Sequence, residues 1–390
     1  MKKHFLICLA LTSYGCSSNS EESGPIAEKK EPWFEDVAID WGVDFVYNNG
    51  FDGNYHVMEV VGGAPALFDF DNDGDLDLYV VQGNSNSGNV LYENIGGSFI
   101  DITKGSGSDN HEYGIGVSTG DFDNDGYTDL YITNVGKNCL LRNNGDGSFK
   151  DVTDDAGVAM YGFSGCSAFG DLDNDGDLDL VVTQYLDEAL ITDRICLDMQ
   201  SNRTYCNPII YKAELPDVVF INNGDGTFEN MTKKLGMSDV AGTGLGVFIA
   251  DLSGDHLPDI FVANDAMPDR LWINQGDLTF IEDSMNRNIA IDDSGKAKAG
   301  MGATPVDFDQ DGDFDVYVTN IYGESDSFFR NEGDFFQDMT RQTGLSAETR
   351  AYTRWGIVFS DFNNDSALDL YISTGGVASG ATIHSERDPL

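Results

Sequence analysis

An acidic nine-residue pattern recurs six times along the chain and constrains its fold more than any other feature. In its full form it reads Asp-x-Asp-x-Asp-Gly-x-x-Asp, and successive copies start 52, 50, 80, 56 and 54 residues apart. Self-similarity at such a period indicates a repeat architecture, in which each unit buries its apolar face against its neighbours. We call the copies loops 1 to 6, and they span residues 69–77, 121–129, 171–179, 251–259, 307–315 and 361–369.

Each loop lies within a unit of four predicted strands. In the second unit, a Gly-rich strand at 116–120 enters the loop and an apolar strand at 129–134 leaves it. A third strand covers 140–143, and the fourth carries an aromatic motif at 149–153, Phe-Lys-Asp-Val-Thr. Asn-Gly and Asp-Gly pairs between the last two strands favour tight turns. Four short strands per repeat are typical of a propeller blade, so the sequence predicts an all-β propeller with six blades at residues 32–378.

The ends of the propeller are less regular than its middle. A copy of the aromatic motif stands alone at 34–38, and the last unit lacks a clear third strand. We expect residues 34–37 to form the outer strand of the last blade and so close the ring. Residues 379–390 form a tail in which 381–385 is a candidate for the missing strand, and a seventh blade is the alternative to a ring of six.

The spacing within the loop suits a calcium ion. Ca²⁺ takes about six to eight oxygen ligands, which a turning chain supplies from side chains at positions 1, 3, 5 and 9 and from a backbone carbonyl at position 7. Gly at position 6 permits the sharp turn. Loops 4 and 6 depart from the pattern, because Ser253 and Asn363 stand at position 3 and His256 and Ser366 at position 6. We therefore expect weaker binding in these two loops.

The predicted metal ligands occupy these five positions. They are Asp69, Asp71, Asp73, Asp75 and Asp77 in loop 1; Asp121, Asp123, Asp125, Tyr127 and Asp129 in loop 2; Asp171, Asp173, Asp175, Asp177 and Asp179 in loop 3; Asp251, Ser253, Asp255 and Asp259 in loop 4; Asp307, Asp309, Asp311, Asp313 and Asp315 in loop 5; and Asp361, Asn363, Asp365 and Asp369 in loop 6.

Other interpretations of the loops fit less well. Clusters of Asp, Asn and Gly also form ordinary turns, but repeated sets of carboxylates would repel one another without a cation. An EF-hand needs Glu at position 12, where the first three copies have Val80, Ile132 and Val182. Mg²⁺ demands a tighter octahedral geometry than such loops offer. Several structural Ca²⁺ ions are therefore the predicted cofactor.

The whole chain is strongly acidic. Its 390 residues include 67 Asp and Glu against 22 Lys and Arg, a formal net charge of −45. This charge repels phosphate backbones and argues against a nucleic-acid partner. With 41% hydrophobic residues the composition is that of a folded chain rather than a disordered one.

The N-terminus has the features of an export signal. Lys2 and Lys3 precede an apolar run at 5–11, which leads to Gly15 and Cys16. This order resembles a bacterial lipoprotein signal, in which Cys16 is lipidated. We predict a signal peptide at 1–15, a polar tether at 16–31, and an outer-membrane or cell-surface lipoprotein whose only membrane contact is that lipid. An ordinary secretory peptide, giving a secreted protein, is the alternative.

The third unit carries an insertion at residues 184–217. It contains Cys196 and Cys206, for which we predict a local disulfide because an exported chain can be oxidised; a Cys139–Cys166 pair is left open. The insertion is interpreted either as a flap packed on the propeller or as a ligand or partner contact.

The combined motifs resemble a known family. The aromatic motif, the Asp loop and the segment at 140–149, Leu-Leu-Arg-Asn-Asn-Gly-Asp-Gly-Ser-Phe, are similar to FG-GAP/VCBS repeats and, more closely, to the cartilage acidic protein family of extracellular proteins. The resemblance covers about residues 33–377. It implies a calcium-binding propeller, usually seven-bladed and often followed by an ASPIC/UnbV domain. The chain reaches Leu390 soon after loop 6, so we expect that domain to be absent.

Two functions remain compatible with the sequence. The first is a cell-surface adhesion or interaction scaffold that binds an unknown surface protein or glycan, with calcium in a structural role. The second is a carbohydrate-active enzyme or glycan-binding module that uses the propeller face. The enzyme needs clustered acid and base residues outside the loops, and the sequence identifies no such set, so we predict a protein that is not an enzyme.

Overall fold

The repeats fold into antiparallel sheets that stand side by side. The computed structural model describes residues 33–191, 194–198 and 200–377. The predicted signal peptide, Cys16, the tether and the tail lie outside these residues. Five blades have four strands each, and blade 6 has two among the described residues. The prediction of an all-β propeller built from four-stranded blades is confirmed.

The strands follow the repeat order. Blade 1 contains β1 (Pro65–Phe68), β2 (Asp77–Val80), β3 (Val90–Asn94) and β4 (Phe99–Asp101); blade 2 contains β5 (Tyr113–Gly120), β6 (Asp129–Lys137), β7 (Cys139–Asn143) and β8 (Phe149–Asp151). Blade 3 contains β9 (Tyr161–Gly170), β10 (Asp179–Leu186), β13 (Val218–Asn222) and β14 (Phe228–Asn230), and its insertion holds the short hairpin β11 (Cys196–Leu197) and β12 (Arg203–Thr204). Blade 4 contains β15 (Gly244–Ala250), β16 (Asp259–Asn264), β17 (Arg270–Asn274) and β18 (Phe280–Glu282); blade 5 contains β19 (Gly300–Val306), β20 (Asp315–Asn320), β21 (Ser327–Asn331) and β22 (Phe336–Asp338); blade 6 contains β23 (Arg354–Ser360) and β24 (Asp369–Thr374).

The helices within residues 33–377 that the structure describes are few and short. They are the α-helix α1 (Leu345–Glu348) and the 3-10 helices Val57–Val60, Glu188–Leu190, Pro208–Ile210 and Thr349–Ala351. Among the described residues, none of the helices combines the length and apolar character needed to cross a bilayer.

The second strand of each of blades 1 to 5 is buried on both faces. In β6, Leu130 and Ile132 pack against blade 1, whereas Tyr131 between them packs against blade 3. Successive side chains of a strand point to opposite faces, so a strand between two neighbouring blades must be apolar at every position. This packing explains the continuous apolar runs that follow the loops.

The first strands crowd together at the propeller axis. A Cβ added to Gly165 would lie 2.5 Å from the Gly244 carbonyl oxygen, and one added to Gly302 would lie 2.5 Å from that of Trp355. Only glycine permits such close approach of two backbones. The 3-10 helix Val57–Val60 contributes Val57 to the apolar cluster that joins the inner strands at this axis.

The N-terminal segment does not form the strand that the sequence predicts. Residues 34–37 have no strand pairing, and the Phe34 ring contacts Phe362 and Tyr371 of blade 6 at centroid distances of 5.4 and 5.8 Å. In the same way Phe228 of blade 3 contacts Phe122 of blade 2. Phe34 is therefore equivalent to a fourth-strand residue of a blade that follows blade 6, rather than to an outer strand of blade 6 itself.

A buried side chain just before each third strand caps the end of the second strand. Its Oδ1 atom accepts a hydrogen bond from a backbone N–H of that strand end, at 2.8 to 3.1 Å in blades 1 to 5. The capping residues are Asn89, Asn138, Asp217, Asp269 and Asp326. Blades 1 and 2 thus use a neutral amide where blades 3 to 5 use a carboxylate.

Replacing Asp217 by Asn should flatten the pH dependence of stability. Burial raises the pKa of Asp217 to about 7, and Arg270 opposes this only in part. Because the folded state then binds more protons than the unfolded state above about pH 4, the free energy of unfolding falls as pH rises from about 4 to 7. Asp217→Asn keeps the acceptor for Gln184 and removes this loss, so its melting temperature should vary less between pH 5 and 8.

The reverse substitution in blade 2 is the matched control. Asn138→Asp should introduce a loss of stability with rising pH, measured by the same thermal melts. If the melting temperature of Asp217→Asn varied with pH as much as that of the wild type, the raised pKa of Asp217 would not be a cause of the pH dependence of stability.

Candidate metal centres in the aspartate loops

Each loop is held in its turn by its own first and fifth residues. In loop 2, the Asp121 carboxylate accepts hydrogen bonds from the backbone N–H groups of Asp125 and Gly126 at 3.0 and 2.9 Å. Asp125 in turn accepts from the Tyr127 N–H at 2.9 Å. The same three bonds recur in all six loops. The weaker loops 4 and 6 therefore keep the fold of the others.

The aspartate at position 9 joins the loop to the rest of its blade. Asp129 accepts one hydrogen bond from the Phe122 N–H at 3.1 Å and another from the Asn143 N–H at 2.7 Å. The Asn143 side chain donates at 2.7 Å to the carbonyl of Phe70 in blade 1. Through Asp129 and Asn143, the loop is therefore linked to the third strand of its own blade and to the preceding blade.

Sequence reasoning missed these asparagines as a set that works with the loops. They lie at the same place on the third strand and are Asn94, Asn143, Asn222, Asn274 and Asn331. Their recurrence before the turn was visible in the sequence, but the spacing to the aspartate varies and is longest across the insertion. Their link to the preceding blade is a contact between residues 73 to 102 positions apart in four of the blades.

Carboxylates converge in the four loops with the full pattern. Three ligand oxygens lie within 4.8 Å of one another in each of loops 1, 2, 3 and 5. The groups are Asp69, Asp71 and Asp77; Asp121, Asp123 and Asp129; Asp171, Asp173 and Asp179; and Asp307, Asp309 and Asp311. In the described chain, loops 4 and 6 form no such group, which agrees with the substitutions at their third and sixth positions.

At position 7 the backbone N–H is bonded within the loop, and the role of its carbonyl as a metal ligand stays a prediction. The predicted ligands there are Asp75, Tyr127, Asp177 and Asp313, whose N–H groups bond to position 5. The Asp177 side chain instead accepts from the Asn124 amide of the neighbouring loop at 2.6 Å. The corresponding Asn72 donates to the Gly126 carbonyl at 2.9 Å, so loops 1 to 3 lie side by side and contact one another.

The carboxylates at positions 3 and 9 of loops 2 and 3 sit in an environment that disfavours their charge. Burial raises the pKa of Asp129 to about 8 and that of Asp179 to about 7. Burial also raises the pKa of Asp123 and Asp173, and their acidic neighbours add to the effect. Desolvation and like charge both favour the protonated form, and a bound cation would reverse this preference.

Two buried oxygens at position 3 have no hydrogen-bond partner among the described residues. They are Asp123 Oδ1 and Asp173 Oδ1, in loops 2 and 3. A buried polar atom without a partner is costly, and both atoms occupy the position that a calcium loop uses for a ligand. The residues therefore fit a hard cation such as Ca²⁺, which takes carboxylate, hydroxyl and carbonyl oxygens.

The insertion packs on the propeller. A disulfide joins Cys196 to Cys206, whereas Cys139 and Cys166 are free thiols. Tyr185 is buried, and its hydroxyl donates to Asp265 at 2.6 Å.

Comparison with known proteins places the chain in a family. A model described as an FG-GAP-like repeat matches residues 69–132, 121–182, 210–262, 251–318 and 307–372, so the chain belongs to the FG-GAP-like repeat family. Cartilage acidic protein 1 of Homo sapiens is 30% identical over 171 residues, 41% of this chain and 24% of that protein. The Xenopus tropicalis protein is 30% identical over 174 residues, with 41% and 25% covered. The match thus spans about a quarter of these relatives, and the resemblance drawn from the motifs is confirmed.

Two solved structures are similar to this chain at low sequence identity. An Agrocybe aegerita lectin that recognises non-reducing terminal N-acetylglucosamine has a TM-score of 0.44 at 18% identity, with 80% of this chain and 75% of the lectin covered. The V. cholerae biofilm matrix protein Bap1 has a TM-score of 0.39 at 12% identity, with 71% and 38% covered.

Replacing His256 by Gly should stabilise the protein. His256 and Ser366 adopt φ values of 69° and 72° at position 6, where the other loops have Gly. A left-handed conformation costs a non-Gly residue about 1–2 kcal/mol, and the exposed His256–Asp251 contact offsets little of this. We expect His256→Gly to raise the free energy of unfolding by about 1 kcal/mol in urea denaturation with saturating calcium.

Gly126→Ala provides the matched control at position 6 of loop 2. No atom lies within 4 Å of the added Cβ, so any loss of stability reports the backbone conformation alone. A less stable His256→Gly variant would show that the imidazole has a role that strain does not describe.

Proposed function

We propose that this protein is an extracellular calcium-binding β-propeller that acts as an interaction scaffold at the cell surface. The observation that carries the proposal is the unpartnered buried oxygen of Asp123 in loop 2 and of Asp173 in loop 3, each beside carboxylates that converge in the same loop. A hard divalent cation satisfies that oxygen and neutralises the carboxylates in one step. Calcium has a structural role in this proposal, because the same carboxylates hold the blades together.

Calcium binding would act at three levels of the fold. It would fix the turn between the first and second strands of a blade. Through the position 9 aspartate, it would also fix the third strand and the junction with the preceding blade. Relief of repulsion within a chain of net charge −45 adds to this local effect.

The proposed location rests on the N-terminal sequence and on the family. The apolar run before Cys16 fits export with lipid attachment, and the acidic tether then separates the propeller from the membrane. A scaffold displayed in this way would present both propeller faces to surface proteins or glycans.

One cleft favours glycan binding as a second candidate function. It has a volume of about 360 Å³ and lies between blades 2 and 3, where Arg142 and Lys150 face the turn at 224–227. Arg142 lies 4.0 Å from Asp123 of loop 2, and its buried Nε has no hydrogen-bond partner among the described residues. A cleft of this size accommodates a small ligand. Its lining sets the cations of Arg142 and Lys150 beside the carboxylates of Asp123, Asp155 and Asp225, and these groups can donate hydrogen bonds to saccharide hydroxyls and accept hydrogen bonds from them.

Calcium removal should destabilise the protein, because a ligand that binds only the folded state stabilises it by mass action. We expect the thermal midpoint to fall by several degrees in excess EDTA and to recover when calcium is restored. Asp173→Asn should reduce the number of tightly bound calcium ions by one. Asp177→Asn is the matched control in the same loop, since position 7 is predicted to bind through its backbone. An unchanged midpoint in EDTA would contradict a structural role for calcium.

The cleft can be tested separately with a glycan array probed by calcium-loaded protein. Any glycan binding at this cleft should be lost in the Arg142→Ala, Lys150→Ala double variant. Exposed Lys104→Ala is the control for general loss of positive charge. Equal binding by the double variant and the wild type would assign any glycan recognition to another surface.

A further inference from the structure

A second group of potential metal ligands lies away from the aspartate loops. Asp52, His56 and Glu59 each place one ligand atom within 4.8 Å of the other two. Glu59 belongs to the 3-10 helix Val57–Val60, whose Val57 packs into the apolar cluster at the axis. The group therefore sits on the N-terminal segment that covers the axis, and not in a repeat.

The donor atoms of this group differ from those of the loops. Calcium prefers oxygen ligands alone, whereas one imidazole with two carboxylates suits Zn²⁺ and related transition metals. His56 Nε2 and Asp52 Oδ1 are 3.7 Å apart, which is too long for a hydrogen bond. Two ligands each about 2.1 Å from one tetrahedral ion are separated by roughly 3.4 Å, so the observed spacing is close to that of a shared ion.

Neighbouring groups already orient two of the three side chains. Asn54 donates to both carboxylate oxygens of Asp52, from its backbone and its side chain, at 2.9 Å in each case. The Tyr205 hydroxyl donates to Glu59 Oε2 at 3.1 Å. Such outer hydrogen bonds fix the direction of metal ligands and raise their affinity.

Glu59 also lacks a compensating cation. It is only 6% exposed, and among the described residues Tyr205 is the only side chain that donates a hydrogen bond to its carboxylate. No Lys or Arg of the described chain forms an ion pair with it. A buried carboxylate is normally paired or coordinates a metal, and a cation held between the ligand atoms of Glu59, His56 and Asp52 would supply that pairing.

We propose that Asp52, His56 and Glu59 form a binding site for a divalent transition metal ion, with Zn²⁺ as the probe. Water completes the coordination on the open side, where the Asp52 and His56 side chains are 53% and 41% exposed. The ion fastens the axial segment to the insertion, because Tyr205 bonds to Glu59 and its ring contacts Tyr55 at a centroid distance of 5.1 Å.

Zinc titration of the full chain by isothermal calorimetry, with calcium at saturation, tests the site. The wild type should bind one zinc ion that excess calcium does not displace. His56→Gln and Asp52→Asn should each weaken this affinity at least tenfold, and Tyr205→Phe, which removes only the outer hydrogen bond, by about tenfold. Melting midpoints in calcium alone check that each variant folds. Because the Asp52 side chain lies at the surface, Asp52→Asn should fold normally, so a loss of zinc binding in this variant reports the site itself.

His111→Gln is the matched control. His111 Nε2 also lies 3.7 Å from a carboxylate, that of Asp109, but no third ligand joins this pair among the described groups. Its affinity for zinc should equal that of the wild type. Zinc that binds His56→Gln and Asp52→Asn as tightly as the wild type would overturn the proposal and assign the ion to the free thiols of Cys139 or Cys166 or to the loops. Absence of zinc binding by the wild type would overturn it as well.

Discussion

The buried aspartate that ends each of loops 1 to 5 makes the interaction on which the rest of the propeller depends. One of its oxygens holds the loop backbone and the other holds the third strand, as Asp129 does with Phe122 and Asn143. The asparagine side chain then reaches the carbonyl of Phe70 in the preceding blade. One carboxylate thus connects three parts of the fold in a low-dielectric interior, where such bonds are strong and unpaired groups are costly.

This connection gives the acidity of the loops a structural meaning. A carboxylate buried beside other carboxylates prefers to be protonated, as the raised pKa of Asp129 shows. In the proposed scaffold a calcium ion removes that penalty while the aspartate keeps its hydrogen bonds. Ion binding and blade packing then share the same residues, so the free energy of binding becomes part of the free energy of folding.

The sequence was sufficient for the repeating part of the structure and insufficient for its ends. Strand order and loop positions follow from periodic patterns, because each blade repeats the same local chemistry. The position of Phe34 could not be derived in this way. Its partners Phe362 and Tyr371 lie more than 300 residues away in the sequence. The aromatic motif around Phe34 does not indicate which blade its ring will pack against. The convergence of Asp52, His56 and Glu59 was missed for a different reason, since the group occurs once and no repetition marks it.

Two segments lie outside the repeat pattern and distinguish this propeller from a uniform set of blades: the axial segment and the insertion. The axial segment carries Val57 into the apolar centre and Glu59 to the edge of the insertion. The insertion contributes Tyr205, which directly precedes Cys206 of the Cys196–Cys206 disulfide. Repeated blades present similar surfaces, whereas the axial segment and the insertion contact each other at a single place, through Glu59 and Tyr205. Because blade packing alone does not require their contact, the polar groups at that meeting point are the ones whose chemistry can distinguish this chain from its repeats.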